Sequence, residues 1–172
     1  MQGERNEPKN QQWRPPPPGW FKVNADASIL EDQNKEGLGV VVRNSEGKCT
    51  SAAMKLAEFC GSIAFAEAEA TKFGLEIAEQ AGCLPLIVET DSQEVVDLVL
   101  NRKGTRKEIF WLISEIQPIL LRMQQSKFQH VFRSGNSAAH LLAKLALKQD
   151  IVFSWLENIP KSNFSVITDF EK

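Results

Sequence analysis

Residues 63–81 read IAFAEAEATKFGLEIAEQA, and the chain changes period there. On a helical wheel Ile63, Ala70, Gly74 and Ala81 fall within roughly 60° of Glu67, while Glu69, Lys72, Glu76 and Gln80 lie roughly opposite. The stretch predicts an amphipathic helix, closed by Gly82. Upstream the period is two. In WFKVNADAS, residues 20–28, Phe21, Val23 and Ala25 share one face, and Lys22, Asn24 and Asp26 share the other. A polar loop over 29–35 leads to the β-branched run GLGVVVR, 37–43. Asn44-Ser-Glu-Gly47 signals a tight turn, and residues 48–58 resume as a strand. Short turns make these three strands an antiparallel meander. Downstream, Leu86–Glu89 reads as a buried strand, 92–102 as a helix, and 107–123 as a helix with a kink at Pro118. Phe128–Phe132 is the last strand, and 136–148 a Leu/Ala-rich helix. The order βββ-α-β-α-α-β-α, with right-handed parallel crossovers, predicts an α/β fold with a five-stranded mixed sheet flanked by helices.

At 172 residues the chain has room for one domain and spare ends. Residues 1–18 carry Pro15 to Pro18 in a row and lack periodicity, so a disordered Pro-rich segment is expected there. The domain is expected over 19–150, and a tail packing on it over 151–172. Twenty Lys and Arg against 22 Asp and Glu give a net charge of −2, which excludes a sequence-blind polycation. Any nucleic-acid contact must come from a local basic patch. The apolar runs fall far short of the roughly 18 residues of a membrane span, so no membrane partner is expected. The first twenty residues lack the apolar core of a secretory signal. Cys49, Cys60 and Cys83 are odd in number and show no metal-ligand spacing, which points to a reducing, intracellular setting, nuclear or cytoplasmic. A monomer is expected.

Three acidic residues stand out. Asp26 sits inside an apolar strand, where a turn-forming role is the plain alternative. Glu67 lies on the apolar face of its helix; burying an ionised carboxylate costs several kcal/mol unless it is paired or bound to metal. The alternative is a small roll of the helix that brings Glu67 to water. Glu69 reads as an ordinary solvent-face residue. Asp91 follows the strand LIVET and precedes a helix, so it can N-cap that helix with Glu94 as capping-box partner. It also stands at the carboxyl end of a parallel strand, where sites form in open α/β sheets.

The runs KVNADAS, AEAEATKFGLEIA, VETDSQEVVDLV and HVFRSGNSAAHLLAKLA, in that order, resemble the plant RNase H-like domain. That domain is related to type-1 ribonuclease H and is found in plant proteins and in non-LTR retrotransposon polyproteins. The lead-in WRPPPPGWFKVN and the tail from Trp155 to Asp169 extend the likeness to about residues 13–170. The resemblance implies an RNA–DNA hybrid ribonuclease, with Asp26, Glu67 and Asp91 as ligands for Mg2+ or Mn2+. The family's A-E-x-x-A…G-L pattern sets its Glu seven residues before the helix glycine, which selects Glu67 from Gly74. The fourth acid does not match: the N-x-x-x-D pattern reads Asn136-Ser-Ala-Ala-His140 here. The glycine often following the first Asp is Ala27, and a histidine-bearing loop before the last helix is shortened to Arg133-Ser-Gly135.

Carboxylates are the hard oxygen donors that Mg2+ requires. An imidazole at 140 removes one negative charge and suits Mn2+ better, so weakened or metal-restricted hydrolysis is expected, with His140 at the site. On the helix, leucines 141, 142 and 145 point away from His140, so a plain solvent-facing role is the alternative. His130 reads as a packed strand residue. Arg102, Lys103, Arg106 and Lys107 form a segment for phosphate contacts, joined by Arg133, with Asn24 and Asn136 as further nucleic-acid contacts. Lys22 and Arg43 are additional candidates. A solvated charged turn is the alternative for the basic segment. The tryptophans, Trp111 and Trp155 among them, read as structural. The competing functional reading is a hybrid- or RNA-binding module derived from a retroelement, without turnover.

Overall fold

A computed structural model describes residues 12–104 and 107–157. Strands β1 (Phe21–Leu30), β2 (Lys35–Asn44) and β3 (Cys49–Glu58) precede helix α1 (Ile63–Gln80). Then come β4 (Leu86–Thr90), α2 (Gln93–Val99), α3 (Lys107–Arg122), β5 (Ser126–His130), α4 (Ser137–Lys148) and β6 (Ser154–Glu157). The sheet order is β5-β4-β1-β2-β3-β6. Both β1–β2 and β2–β3 are antiparallel, and β1–β4 and β4–β5 are parallel.

The expected mixed α/β architecture is present, but the sheet has six strands rather than five. The extra strand is β6, which pairs antiparallel with β3, Trp155 opposite Ala53. At four residues it is too short for a period-two signal, and half of it remains exposed. β5 begins two residues before the predicted Phe128, because its parallel register on β4 sets Ser126 opposite Leu86 and His130 opposite Thr90.

Each face of the sheet buries its own apolar cluster. On one, Val23, Ala25, Leu38, Val40 and Val42 meet the α1 residues Ala66, Ala70 and Phe73. On the other, Val41, Ala52 and Met54 meet Ala138, Leu142 and Ala146 of α4. That second helix comes so close that a Cβ on Gly37 would strike the Ala143 carbonyl, and one on Gly39 the Ala139 carbonyl. Glycine is needed at both positions because α4 rests on the β2 backbone itself. Trp111, expected as structural, is 75% exposed on the outer side of α3. Residues 12–18, expected within the disordered segment, lie against the folded domain: Pro16 is buried and Trp13 half-buried.

Gly39→Ala should therefore push α4 outward. The expected loss is about 1–3 kcal/mol, the range for overpacking a filled core. A urea titration of the purified variant measures it; an unchanged midpoint would contradict the close seating of α4.

Candidate metal centre

Asp26 and its neighbours owe their meeting to where β4 stops. The parallel β1–β4 ladder ends with Asn24 opposite Glu89, while β1 runs on to Leu30. Past that point no strand among the described residues pairs with β1 on the β4 side, which leaves a notch at its edge. Asp26 stands in the notch from β1, Glu67 from α1, and Asp91 from the turn just after β4. One carboxylate oxygen from each lies within 4.8 Å of the others. Asp26 is 2% exposed and Glu67 9%, with Asp91 half-buried.

Local structure leaves each carboxylate free for this arrangement. The N-cap of α2 is Ser92, not Asp91: its hydroxyl accepts from the Val95 N–H at 3.3 Å. Asp91 is thereby released from the capping role that the sequence allowed it. Ser62 caps α1 in the same way. Glu67, one turn in, points to the sheet as the wheel predicts. His140, on the first turn of α4, is not merely solvent-facing: its Nδ1 lies 2.6 Å from Asp26 Oδ2.

Burial and mutual repulsion act on these acids together. Burial first, then the charges of Asp26 and Asp91, push the Glu67 carboxyl up to about 10. Burial and the Asp26 charge raise Asp91 to about 6, opposed by Arg133 and His140. Glu67 Oε2 is buried without a hydrogen-bond partner among the described residues. An oxygen-only donor set, crowded, desolvated and short of donors, fits a hard divalent cation.

The other predicted residues are scattered. Arg133 is exposed, with its charge felt at Asp91. Arg102, Lys103 and Lys107 are exposed at the α2–α3 connection, where Arg102 pairs with Asp97 at 3.7 Å. Arg106 lies outside the described residues. Asn24 and Asn136 are fully buried and bonded to each other at 3.2 Å, so they have no surface to offer a nucleic acid. Lys22 and Arg43 are buried as well. Glu69 does not face solvent freely. It is half-buried against the fully buried Glu36, whose carboxyl rises to about 8 through burial and the nearness of Glu69. The sequence signal for Glu36 was its parity with Leu38, Val40 and Val42, which puts it on the α1 face.

The family model described as Reverse transcriptase-like matches residues 24–146, a span that contains all four site residues. The chain belongs to this family. Among solved structures, RNase H1 from the halophilic archaeon Halobacterium salinarum NRC-1 is 20% identical with a TM-score of 0.70, the match covering 75% of this chain and 98% of that one. The N-terminal RNase H domain of rv2228c from Mycobacterium tuberculosis is 21% identical with a TM-score of 0.68, covering 75% and 94%. LC11-RNase H1, solved in complex with an RNA/DNA hybrid, is 20% identical with a TM-score of 0.68, covering 76% and 98%. No curated protein sequence matches the chain. The likeness to these structures places the fold of this family member as RNase H-like.

The raised Glu67 carboxyl sets a pH dependence. Its proton is held more tightly in the folded than in the unfolded chain. The stability it contributes is full below pH about 4.5 and falls as pH rises toward about 10. In metal-free protein, Glu67→Gln should flatten this decline and raise the Tm at pH 8 by about 2–8 °C, equivalent to roughly 1–2 kcal/mol for a chain of this size. Calorimetry between pH 5 and 9 reads it. A natural protein that grows more stable over that range would contradict the clustering.

Proposed function

We propose that the protein cleaves the RNA strand of RNA–DNA hybrids, using divalent cations, Mg2+ or Mn2+, held by Asp26, Glu67 and Asp91. The observation that carries this reading is the convergence of three carboxylates, 65 residues apart at the extremes, in one desolvated notch. When bound, a pair of such ions activates a water and stabilises the leaving oxygen of a phosphodiester. The chain supplies the rest. Asp26 and Glu67 are fixed by packing, and half-buried Asp91 stands nearer the solvent. Arg133 offers an exposed cation beside Asp91 for a substrate phosphate. His140, with Nδ1 on Asp26, keeps Nε2 for a proton of water or substrate.

Arg102, Lys103 and Lys107 form the wider phosphate-contacting surface, with Arg106 in the same segment. Phosphate contacts bind without reading sequence, and preference for the RNA strand would rest on its 2′-hydroxyls. The hybrid seen on LC11-RNase H1 supports this substrate class. Among the described residues no helix is long and apolar enough to cross a membrane. A monomer acting inside the cell is the matching form.

One observation favours the second reading, a hybrid- or RNA-binding module without turnover. His140 stands where the resemblance implies a fourth acid, and it occupies one Asp26 oxygen. His140→Asp separates the two. Hydrolysis predicts that the natural protein cuts hybrid better with Mn2+ than with Mg2+. The substitution should then raise Mg2+ affinity and Mg2+-dependent cleavage at least about tenfold, the scale of a change at a metal ligand. Hybrid binding by both proteins, with cleavage by neither in either metal, would establish the binding module instead.

A paired substitution on α1 tests the ligand set. Glu67→Gln should weaken Mn2+ binding by an order of magnitude or so, whereas Glu69→Ala, at a residue outside the Asp26–Glu67–Asp91 cluster, should leave it within about twofold. Titration calorimetry measures both, and a reversed pattern would reject Glu67 as a ligand.

A further inference from the structure

Residues 13–20 precede the family-matched span, yet they reach one of its fully buried polar side chains, Asn24. The segment turns back through Pro17–Trp20, closed by the Trp20 N–H donating to the Pro17 carbonyl at 3.0 Å with Gly19 at φ +81°. That is the φ a type II turn requires at its third residue, after Pro18 at the second. Two anchors hold the ends. The Trp13 ring stacks on the Arg43 guanidinium, 3.7 Å from ring centre to Cζ. Lys127 Nζ sits 5.1 Å from the centre of the Trp20 ring. Between them, Lys22 Nζ donates to the Arg14 carbonyl at 2.6 Å while pairing with Glu89 at 3.3 Å.

Asn24 is the junction. Its Oδ1 accepts from Trp13 Nε1 at 3.0 Å and from Arg43 Nη2 at 3.3 Å. Its Nδ2 donates to Glu89 Oε1 at 3.1 Å and to Asn136 Oδ1 at 3.2 Å. These four bonds use the full capacity of a side-chain amide, so the direction in which Asn24 presents its N–H groups is set. Asn136 in turn donates to the Ala25 carbonyl at 2.9 Å, one residue before Asp26. It also starts α4, whose first turn brings His140 onto Asp26.

We propose that Trp13 is a positioning residue for the acidic site: through Asn24 and Asn136 the 13–20 strap seats the first turn of α4 and thereby fixes the His140–Asp26 contact. A buried polar network of this kind is specific only when every member is satisfied. Losing the indole N–H leaves one accepting position of Asn24 empty and loosens its hold on Asn136. The inference deepens the reading of the notch as the functional site and rests on that reading.

The test uses the full chain. Trp13→Phe keeps a ring on Arg43 and deletes the N–H; Trp13→Ala deletes both. The chain has two histidines, so the imidazole 15N resonances of metal-free protein at one fixed pH report His140 directly, with His130 as internal control. Trp13→Phe should move the His140 resonances and leave those of His130 in place. The Mn2+ dissociation constant should rise roughly two- to fivefold, below the full effect of one neutral hydrogen bond. Unmoved His140 resonances overturn the proposal even if the melting temperature drops, because the strap would then be a cover and nothing more. Unchanged Mn2+ affinity in a protein that binds Mn2+ overturns it equally. If the natural protein binds no Mn2+, the metal-centre reading fails by itself, and the His140 resonances alone decide the role of Trp13. Should Trp13→Ala fail to fold, Trp13→Phe carries the measurement.

Discussion

Asp26, Glu67 and Asp91 crowd one another: burial and the neighbouring charges hold the proton on Glu67, and Arg133 and His140 offset only part of the effect at Asp91. The apolar core supplies the force that holds them together. α1 is fixed by Ala66, Ala70 and Phe73 against the valines of β1 and β2, and α4 by its contact with the bare backbone at Gly37 and Gly39. Hydrophobic burial contributes roughly 25 cal/mol per Å2 over hundreds of Å2, enough to offset a local electrostatic cost of several kcal/mol. Loosening either helix would let the acids part. The site is therefore strained in the metal-free chain and suited to relief by cations.

The sheet separates two kinds of glue. Its α1 side is mostly apolar, with the buried Glu36 beside Glu69 as the polar exception. Its α4 side, near β1 and β4, is built on amides and charges: Lys22, Asn24, Arg43, Glu89 and Asn136. Directional bonds hold a geometry more sharply than methyl groups do, and His140 hangs from this polar side. The position of one group against Asp26 is thus tied to residues buried away from the surface.

Much of this was legible in the sequence. The period-two runs and the 3.6-residue helix indicated the element order, and the helical angle put Glu67 rather than Glu69 on the apolar face, where it is buried. Asp26 and Asp91 were visible as candidates, while their convergence was implied by the family pattern and not by local evidence. What escaped had non-local causes. β6 exists because β3 offers an open edge, and no feature of Ser154–Glu157 announces it. Trp13 and Pro16 look like linker residues because the surface that holds them, Arg43 and Asn24, is built from elsewhere in the chain. Ser92 took the cap that Asp91 could have filled, since two capping residues stand side by side and only the fold chooses. Asn24 and Asn136 had the chemistry for a nucleic acid but not the exposure.

The pairing of β6 with β3 also has a meaning in time. A chain emerging from the ribosome completes β3 at Glu58, but its partner begins only at Ser154. At translation rates of about 5–20 residues per second, the β3 edge waits roughly 5–20 s for that partner. During the wait it presents a row of unpaired amides, the kind of edge on which nascent chains join one another. Lys55 and Glu58 on β3 put charge along that edge, and a chaperone that held it until Trp155 arrived would cover the interval in which the edge is open.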